Sequence, residues 1–356
     1  MAYTRIGKHT VNAVRFAEIV QVFVRHGFAD LVQRAGLHKG WPGKLLRGMR
    51  LVNKPAGESA SFGSRLRAAL SELGPTFVKF GQILSTRPDL VGHSIAAELT
   101  GLRDEVASLP FSKMKPVIEQ ELKASIDTLF TSIEHTPVAS ASISQVYRAI
   151  SKTGEVVAVK VQRPGIEGII QSDISLLETI AEWIKEYLGG KLMLDPPGIV
   201  AEFSRSIRRE LDFEIEARIT QQFVSNFEDD PNVVIPMPHF SHCSRHVLTL
   251  DWIDGVPVDR LDAYEERNSD PAKIAAEGCR ALCEMIFEHH LFHADPHPGN
   301  ISLLHDNCVA FLDMGMVGHL EQSDVHILSD IFLSIFNTDA DACLEAVLKL
   351  TSCDEP

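Results

Sequence analysis

The stretch HHLFHADPHPGNISLLHDNCVAFLDMG, residues 289–315, decides the fold of this 356-residue chain. Asn300 follows Asp295 by five residues, and Asp313 follows Asn300 by thirteen. A carboxylate, an amide and a second carboxylate in this order suit phosphoryl transfer, because the protein must position a nucleophile and neutralise the charge on the transferred group. The stretch therefore predicts a phosphate-handling active site.

The spacing matches the catalytic segments of protein kinases, in which H-x-D-x-x-x-x-N is followed by D-x-G. Asp295 is then expected to orient or deprotonate the attacking oxygen. Asn300 and Asp313 are the predicted ligands of Mg²⁺, a hard cation that prefers oxygen. Two short apolar runs between Asn300 and Asp313 predict a β-hairpin.

A cluster of histidines in the same stretch suggests an alternative, a transition-metal site. The four are His289, His290, His293 and His297. No cysteine or carboxylate spacing nearby completes a typical zinc set, so we favour the kinase interpretation. That interpretation requires a lysine and its carboxylate partner upstream.

Length and composition indicate two domains or one two-lobed enzyme. The net charge is −14, and residues 1–54 carry ten Lys and Arg against two acidic residues, a local balance of +8 that leaves −22 for the remainder. An acidic body argues against nucleic-acid binding, whereas a basic start suits anionic lipid. No apolar run reaches the length of a membrane-spanning helix, and the six cysteines show no disulfide spacing, which indicates a reducing compartment.

Residues 11–37 have apolar residues at helical spacing, and this predicts one or two amphipathic helices broken near Gly27. Such a face can bind a membrane interface or pack on the enzyme body. We favour packing, with lipid contact of the basic face as a compatible addition. The basic, amphipathic start also resembles an organelle transit peptide, an interpretation to which we give less weight.

The required lysine lies in residues 137–160, where alternating residues on either side of Thr153-Gly154 predict a β-hairpin. Val157-Ala158-Val159-Lys160 matches the strand whose lysine pairs with nucleotide phosphates. The preceding loop is Ala139-Ser140-Ala141-Ser142, where kinases usually carry a glycine-rich loop. Methyl groups restrict this backbone, so the loop is expected to hold nucleotide differently.

Two segments after the hairpin have predicted roles. One long helix over residues 199–227 carries the acidic run 208–217, which should supply the partner of Lys160. A strand over 247–250 leads into a linker between lobes, and adenine is expected to bond to backbone near Asp251 and Trp252.

A helix over residues 76–86 has Lys79 and Gln82 on one face. Between them, Gly81 stands where another backbone is expected to come close.

These pieces together resemble the UbiB family of atypical protein-kinase-like proteins, which is linked to ubiquinone biosynthesis. The resemblance runs from Arg5 to the end of the chain. Its motifs are Lys79-Phe80-Gly81-Gln82 (KxGQ), Ala139-Ser140-Ala141-Ser142 (the alanine-rich loop), Glu210-Leu211-Asp212 (ExD) and the catalytic loop Phe292 to Asn300.

The resemblance implies an α+β, two-lobed protein-kinase-like fold, with a small β-rich N-lobe, a helical C-lobe and an N-terminal helical extension. The expected segments are a basic amphipathic start (1–60), an extension with the KxGQ motif (61–130), the N-lobe with inserted helices (131–250) and an incomplete C-lobe (251–356). The chain ends 43 residues after Asp313, whereas many members continue and some end in membrane-spanning helices.

The resemblance also assigns residues. It places the helices carrying Lys79 over the active site, with Lys79 as a catalytic residue beside Asp295 and Lys160. The implied gating residues are Lys79, Gln82, Glu210 and Asp212. The implied nucleotide-binding residues are Ala139, Ser140, Ala141, Ser142, Lys160, Asp251, Trp252 and Glu216, the last in place of the helix-C glutamate that pairs with Lys160. Met314 replaces the phenylalanine of many D-F-G motifs.

The implied function is an atypical kinase or ATPase that uses ATP or ADP and Mg²⁺ to support isoprenoid-quinone biosynthesis at a membrane surface. Its expected partners are membrane lipids or quinone intermediates, with other quinone-biosynthesis proteins as further candidates and nucleic acid excluded. The expected location is cytoplasmic, peripheral at the inner membrane, in preference to mitochondrial. The alternatives are a nucleotide-sensing pseudokinase scaffold and a small-molecule phosphotransferase.

Overall fold

The first helix, α1 (Tyr3–Arg25), stops just before Gly27, whose positive φ of 83° turns the chain into α2 (Ala29–Arg34). This is the predicted break. The apolar face of α1 is buried, although Val14 on the same helix remains 67% exposed. Its buried side chains are Phe16, Ala17, Ile19, Val20, Val22 and Val24.

The computed structural model describes residues 3–34, 61–102, 107–188 and 195–350. Glycines and prolines predict a loop at 39–63, and most of it, with its basic residues, lies outside the described residues. Gly189-Gly190 is predicted to end a helix that starts at Asp173, and these two glycines lie outside the described residues as well.

Short helices follow α2 in the described chain. Gly74, with φ of 96°, separates α3 from α4, and Pro75 occupies the first position of α4, where proline is tolerated. These helices are α3 (Phe62–Leu73), α4 (Pro75–Ser85), α5 (Pro88–Val91), α6 (His93–Leu99), α7 (Phe111–Glu121) and α8 (Ile126–Leu129).

A five-stranded sheet follows, and its path runs β1-β3-β4-β6 with β2 paired to β3. The predicted hairpin is confirmed as β3 and β4, because Gly154 between them has φ of 95°, which suits a tight turn. The strands are β1 (Phe130–Ile133), β2 (Ala139–Ser140), β3 (Ser144–Ser151), β4 (Val156–Gln162) and, later in the chain, β6 (Val247–Asp251).

The predicted single helix over residues 199–227 is wrong. After α9 (Ile166–Leu188), the chain forms α10 (Pro196–Glu210) and α11 (Phe213–Asn226). Asp212 separates α10 from α11, since its backbone is extended (φ −122°, ψ 93°) and its carboxylate accepts a hydrogen bond from the Glu214 N–H at 3.1 Å. An aspartate that caps the next helix ends the previous one.

The remaining elements surround the catalytic stretch. The predicted hairpin is confirmed as β9 and β10, which pair antiparallel with Phe311 opposite Ile301, and its turn has Asp306 and Asn307 at positive φ. Both belong to a four-stranded sheet of order β5-β10-β9-β7, while β8 pairs with β11. The bounds are β5 (Val233–Val234), β7 (Val256–Pro257), α12 (Pro271–Phe287), β8 (Leu291–His293), β9 (Ile301–Leu303), β10 (Val309–Phe311), β11 (Val317–His319), α13 (Gln322–Phe336) and α14 (Ala340–Leu350).

The chain divides into two units. Unit 1 comprises residues 1–128, 132–148 and 160–211, and unit 2 comprises 129–131, 149–159 and 212–356. The core of unit 1 comes mainly from α1, α3, α4, α9 and α10, and a core of unit 2 comes from α11, α12 and the strands β8 to β10.

The predicted α+β class is confirmed, whereas the division at residues 60, 130 and 250 stays a prediction. Within the described chain, no helix is both long and apolar enough to cross a membrane.

A buried ionic contact fixes α1 within unit 1. Asp173 of α9 is 1% exposed and accepts hydrogen bonds from Arg15 Nε and Thr76 Oγ1, both at 2.7 Å. Arg15 also donates to the Leu73 carbonyl at 2.7 Å. Arg15 bonds to other helices of unit 1, and the apolar face of α1 packs in the core of that unit. The predicted packing of α1 is therefore confirmed. A second basic residue of α1, Arg25, pairs with Glu72 of α3.

We predict that Asp173→Ala lowers the free energy of unfolding by about 3 kcal/mol, since it removes the buried carboxylate that accepts from Arg15 and Thr76 and leaves the half-buried Arg15 with the exposed Glu18 as its carboxylate partner. Urea unfolding followed by circular dichroism measures this change. The matched control is Asp195→Ala, which removes an exposed pair with Lys185 and should cost about 0.5 kcal/mol or less. Equal losses in the two variants would contradict the buried role of Asp173.

Candidate active site

Strand pairing holds the two acid-bearing loops of unit 2 together. Residues 294–300 follow β8, and residues 312–316 lie between β10 and β11. The Ala294 N–H donates to the Met316 carbonyl at 3.0 Å, and the Leu312 N–H donates to the Asn300 carbonyl at 2.9 Å. These bonds place the loop of Asp295 beside the loop of Asp313.

The loop around Asp295 is internally bonded. Asn300 Nδ2 donates to the Asp295 carbonyl at 3.1 Å, which directs the amide nitrogen toward the loop. The amide oxygen is the atom that the sequence assigns to Mg²⁺. The Asp295 carboxylate is 42% exposed and has His297 Nε2 at 3.8 Å. It is therefore accessible to a reacting hydroxyl or water.

Asp313 lies at a turn where any side chain at Gly315 would displace its carboxylate. The Gly315 N–H donates to Asp313 Oδ1 at 2.8 Å. A Cβ at Gly315 would lie 2.8 Å from the same oxygen and 3.9 Å from Glu216 Oε2. Unit 2 thus brings the predicted metal ligand Asp313 and the buried Glu216 into one neighbourhood. Met314, which replaces the phenylalanine of many D-F-G motifs, is 1% exposed and packs in the core of unit 2.

His293 is buried at 2% exposure, and its Nδ1 accepts a hydrogen bond from the Asp295 N–H at 3.0 Å. Burial lowers the pKa of His293, although the nearby Asp313 and Asp295 favour the charged ring. An accepting Nδ1 places the proton of the neutral ring on Nε2, which makes no well-aligned hydrogen bond within the described residues. His293 therefore supports the Asp295 backbone as a neutral ring.

The chemistry of the ligands fits Mg²⁺ better than a transition metal. A carboxylate and an amide oxygen suit Mg²⁺, which completes its shell with water and phosphate oxygens. Two of the four clustered histidines use Nδ1 to accept backbone N–H groups, namely His293 and His297. Across residues 3–34, 61–102, 107–188 and 195–350, no group of three or more His, Cys, Asp or Glu could hold one ion.

In unit 1, the KxGQ helix α4 meets the end of α10. Lys79 Nζ lies 2.7 Å from Glu210 Oε1, and both side chains are 15% exposed. Next to this pair, Phe80 and Phe203 stack edge to face with centroids 5.1 Å apart. The structure thus joins two of the four predicted gating residues. Gln82 is half-buried on α4, and Asp212 caps α11.

Gly81 is required for side-chain packing. A Cβ at this position would lie 2.3 Å from Leu102 Cδ1 and 2.7 Å from Leu70 Cδ1. The expected close approach of another backbone is therefore wrong, since two leucine side chains fill the space.

The alanine loop, Ala139 to Ser142, has one buried partner that the sequence analysis missed. Arg163 donates from Nε to the Ala141 carbonyl at 2.9 Å and from a terminal nitrogen to Ser140 Oγ at 2.8 Å. Ser142 is fully buried at the end of the loop. Arg163 stands three residues after Lys160, and that proximity was the only signal in the sequence.

Several predicted roles are not decided by these contacts. Lys160 is half-buried in β4, and its pairing with Glu216 stays a prediction. The Asp251 N–H already donates to the Met237 carbonyl at 3.0 Å, and the Trp252 N–H to the Val156 carbonyl at 3.1 Å. Adenine would therefore have to use other backbone atoms of this strand end.

Gln162 is a second residue that the sequence analysis missed. It is 2% exposed, and its Nε2 donates to the Leu211 carbonyl at 2.7 Å. This bond ties β4 to the turn that carries the ExD motif. No local sequence signal marks a side chain that bonds to a backbone group 49 residues away.

The lowered pKa of His293 predicts a loss of stability in acid. The unfolded chain binds more protons than the folded chain below about pH 6.5, so the free energy of unfolding should fall with pH by at most about 1.4 kcal/mol per pH unit. His293→Asn keeps an acceptor for the Asp295 N–H and should flatten this dependence. Urea unfolding between pH 7.5 and 5 tests it, with exposed His305→Asn as control. If the free energy of unfolding of His293→Asn depends on pH as that of the wild type does, His293 is not the cause of the acid-induced loss of stability.

Gly315→Ala should weaken Mg²⁺-dependent nucleotide binding by about tenfold, because the new methyl displaces the Asp313 carboxylate and breaks its hydrogen bond. Calorimetry with ATP, with and without Mg²⁺, measures the effect. Gly278→Ala in α12 is the matched control, since its Cβ would meet nothing within 4 Å. If both variants bind as wild type does, Gly315 does not support Asp313 as described.

Comparison with known proteins places these features in one family. The model of the ABC1 atypical kinase-like domain matches residues 101–347. Probable protein kinase UbiB of Cellvibrio japonicus is 39% identical over 338 residues, which cover 92% of this chain and 59% of that protein. Protein ACTIVITY OF BC1 COMPLEX KINASE 1, chloroplastic, of Arabidopsis thaliana is 39% identical over 77% of this chain and 40% of its own length.

A solved structure shows the same fold. The Rv3197–erythromycin complex from Mycobacterium tuberculosis aligns with a TM-score of 0.58 and 28% identity, covering 81% of this chain and 73% of that one. The chain spans about three fifths or less of the length of the curated relatives named above. The family model, the relatives and the fold agree with the motifs, and the chain belongs to the ABC1 (UbiB) family of atypical kinase-like proteins.

Proposed function

We propose that this protein is an ATP-dependent enzyme that hydrolyses Mg-ATP or transfers its terminal phosphoryl group. The observation that carries the proposal is the bonded arrangement of Asp295, Asn300 and Asp313 in unit 2. Two backbone hydrogen bonds join their loops, and Asn300 bonds directly to the Asp295 backbone. A site of this kind supplies positioning and charge neutralisation, which phosphoryl transfer mainly needs.

In this proposal, Asp313 and Asn300 hold Mg²⁺ through their oxygen atoms. Mg²⁺, when bound, neutralises charge on the phosphate oxygens. The hydrogen bond from Gly315 fixes one oxygen of Asp313, so that the carboxylate does not rotate freely. Lys160 binds phosphate from β4 in the proposed role of its kinase counterpart.

Asp295 orients the attacking oxygen and accepts its proton. Its 42% exposure allows a water or an acceptor hydroxyl to reach the carboxylate. His293 and Asn300 hold the Asp295 backbone on both sides of its Cα, through its N–H and its carbonyl. The loop is thereby ordered before the substrate arrives.

Lys79 has a proposed regulatory and catalytic role. Its ammonium is held by Glu210 in a partly buried pair, so it can act on a phosphate only when that pair opens. We propose that a lipid or a partner protein opens it. A gated site of this kind suits ATP hydrolysis or a small-molecule acceptor better than phosphorylation of other proteins.

The biological setting proposed for this activity is isoprenoid-quinone biosynthesis at a membrane face. It rests on the kinship with proteins named UbiB and on the basic residues of the first 54 positions. Lipids or quinone intermediates are the proposed partners, and the inner face of a membrane is the proposed location. Two alternative functions give different results in the same assays. A pseudokinase scaffold would bind nucleotide without turnover, and a small-molecule phosphotransferase would require a small hydroxyl acceptor.

We expect Asp295→Asn to lower Mg-ATP turnover by about 100-fold or more, the usual contribution of a positioned base. Nucleotide affinity should remain within about threefold of wild type, because asparagine has nearly the shape of aspartate and Asp295 is not one of the proposed metal ligands. Asp313→Asn should instead abolish Mg²⁺-dependent binding. Phosphate release and calorimetry, each with and without anionic liposomes, measure these effects.

The matched control is Asp306→Asn, an exposed aspartate in the β9–β10 turn whose Oδ1 accepts from Asn268 at 2.7 Å. Asparagine keeps that acceptor and tolerates the positive φ, so activity should be unchanged. Binding of nucleotide with no turnover in wild type, with or without liposomes, would replace the enzyme by the scaffold.

A further inference from the structure

One buried arginine connects the alanine loop to a segment far from it in sequence. Arg163 is 8% exposed, and besides Ala141 and Ser140 it reaches the Ala107 carbonyl with both terminal nitrogens at 3.2 Å. Its own N–H donates to the Ile143 carbonyl at 2.8 Å. The Arg163 side chain therefore bonds to the loop and to the segment before α7, and its backbone N–H bonds to the residue that follows the loop.

The geometry of these bonds suits arginine alone. A guanidinium presents five N–H donors in a rigid plane, and within the described residues they reach two carbonyls and one hydroxyl. A lysine has one nitrogen on a flexible stem and cannot span the same three groups. The contact thus depends on the shape of Arg163 as well as on its charge.

A second buried side chain reinforces the connection. Gln145 is fully buried, accepts from the Leu109 N–H at 2.8 Å, and donates to the Leu109 carbonyl at 3.2 Å and to Tyr147 Oη at 2.9 Å. Residues 107–109 are therefore bonded to the loop side of β3 as well as to Arg163. The loop and this segment form one bonded body within unit 1.

We propose that Arg163 is a positioning residue for nucleotide binding, which fixes the alanine loop in the conformation that the nucleotide requires. This inference rests on the proposed function. Arg163 uses the Ala141 carbonyl and the Ser140 hydroxyl as acceptors, so these groups are set before binding. A loop that is ordered in advance loses less conformational freedom on binding, and the gain appears as affinity.

The test compares Arg163→Met and Arg163→Lys by calorimetry with ATP and with ADP. Both variants should bind about tenfold more weakly than wild type, the loss expected when charged hydrogen bonds no longer order the loop. Lysine should restore little of the affinity, since it keeps the positive charge but lacks the planar guanidinium and its fixed set of N–H donors. Recovery in Arg163→Lys to within twofold of wild type would overturn the proposal, because charge alone would then suffice.

Arg148→Met is the matched control. Arg148 is an arginine of β3 whose ion pair with Glu134 is exposed, with relative accessibilities of 38% and 52%. Its removal should leave nucleotide affinity within twofold. A comparable loss in this variant would show that any arginine of the strand region matters, and would count against Arg163.

Hydrogen exchange provides a readout that general destabilisation does not reproduce. Peptides covering residues 137–147 should exchange faster in Arg163→Lys, whereas peptides from α9 and α10 should exchange as in wild type. Uniformly faster exchange would overturn the positioning role. The Lys variant carries this test if Arg163→Met does not fold.

Failure of the inference differs visibly from failure of the proposed function. Wild-type protein that binds neither ATP nor ADP would refute the proposed function, and the inference with it. Wild-type binding with unaltered affinity in both Arg163 variants would refute the inference alone. Weakened binding confined to the Arg163 variants supports both.

Discussion

The short hydrogen bonds between two loops of unit 2 are the contacts on which the chemistry depends. The Leu312 N–H bonds to the Asn300 carbonyl, and the Ala294 N–H bonds to the Met316 carbonyl. Each loop carries one of the two acidic groups, and each is anchored by a strand pair, so the backbone sets the position of both acidic residues. Backbone pairing can hold two like charges near one another, because the strands that flank the two loops resist the repulsion between the carboxylates.

Unit 1 uses the opposite strategy, since its functional groups are placed by long-range side-chain bonds. Asp173 orders Arg15 and Thr76, Arg163 orders the alanine loop, and Glu210 holds Lys79. Buried charges of this kind contribute less to stability than to a unique arrangement, as removing either partner is costly while the pair itself gains little. The two units are therefore expected to be sensitive to different substitutions. Those that alter the backbone should disrupt the site in unit 2, and those that remove a charge should disrupt unit 1.

Local chemistry made much of this fold predictable. Gly27 and Gly74 end helices through positive φ, and the hairpin at Thr153-Gly154 follows from turn chemistry and alternation. The break at Asp212 was not predicted, because helical periodicity continues on both sides and an aspartate in an acidic run resembles a solvated face. Arg163 and Gln162 escaped prediction because their acceptors lie 22 to 56 residues away, a distance at which only the folded chain defines a contact.

The acidic partners of two arginines in α1 reduce the positive charge that the start of the chain presents. A count of basic residues treats Arg15 and Arg25 as part of a positive surface. Arg15 is neutralised by Asp173 and Arg25 by Glu72. A neutralised guanidinium adds little to the field that attracts an anionic bilayer, where each unpaired Lys or Arg contributes about 1 kcal/mol. The surface potential at the start of the chain is consequently weaker than its composition suggests, and it depends on the basic residues that have no such partner.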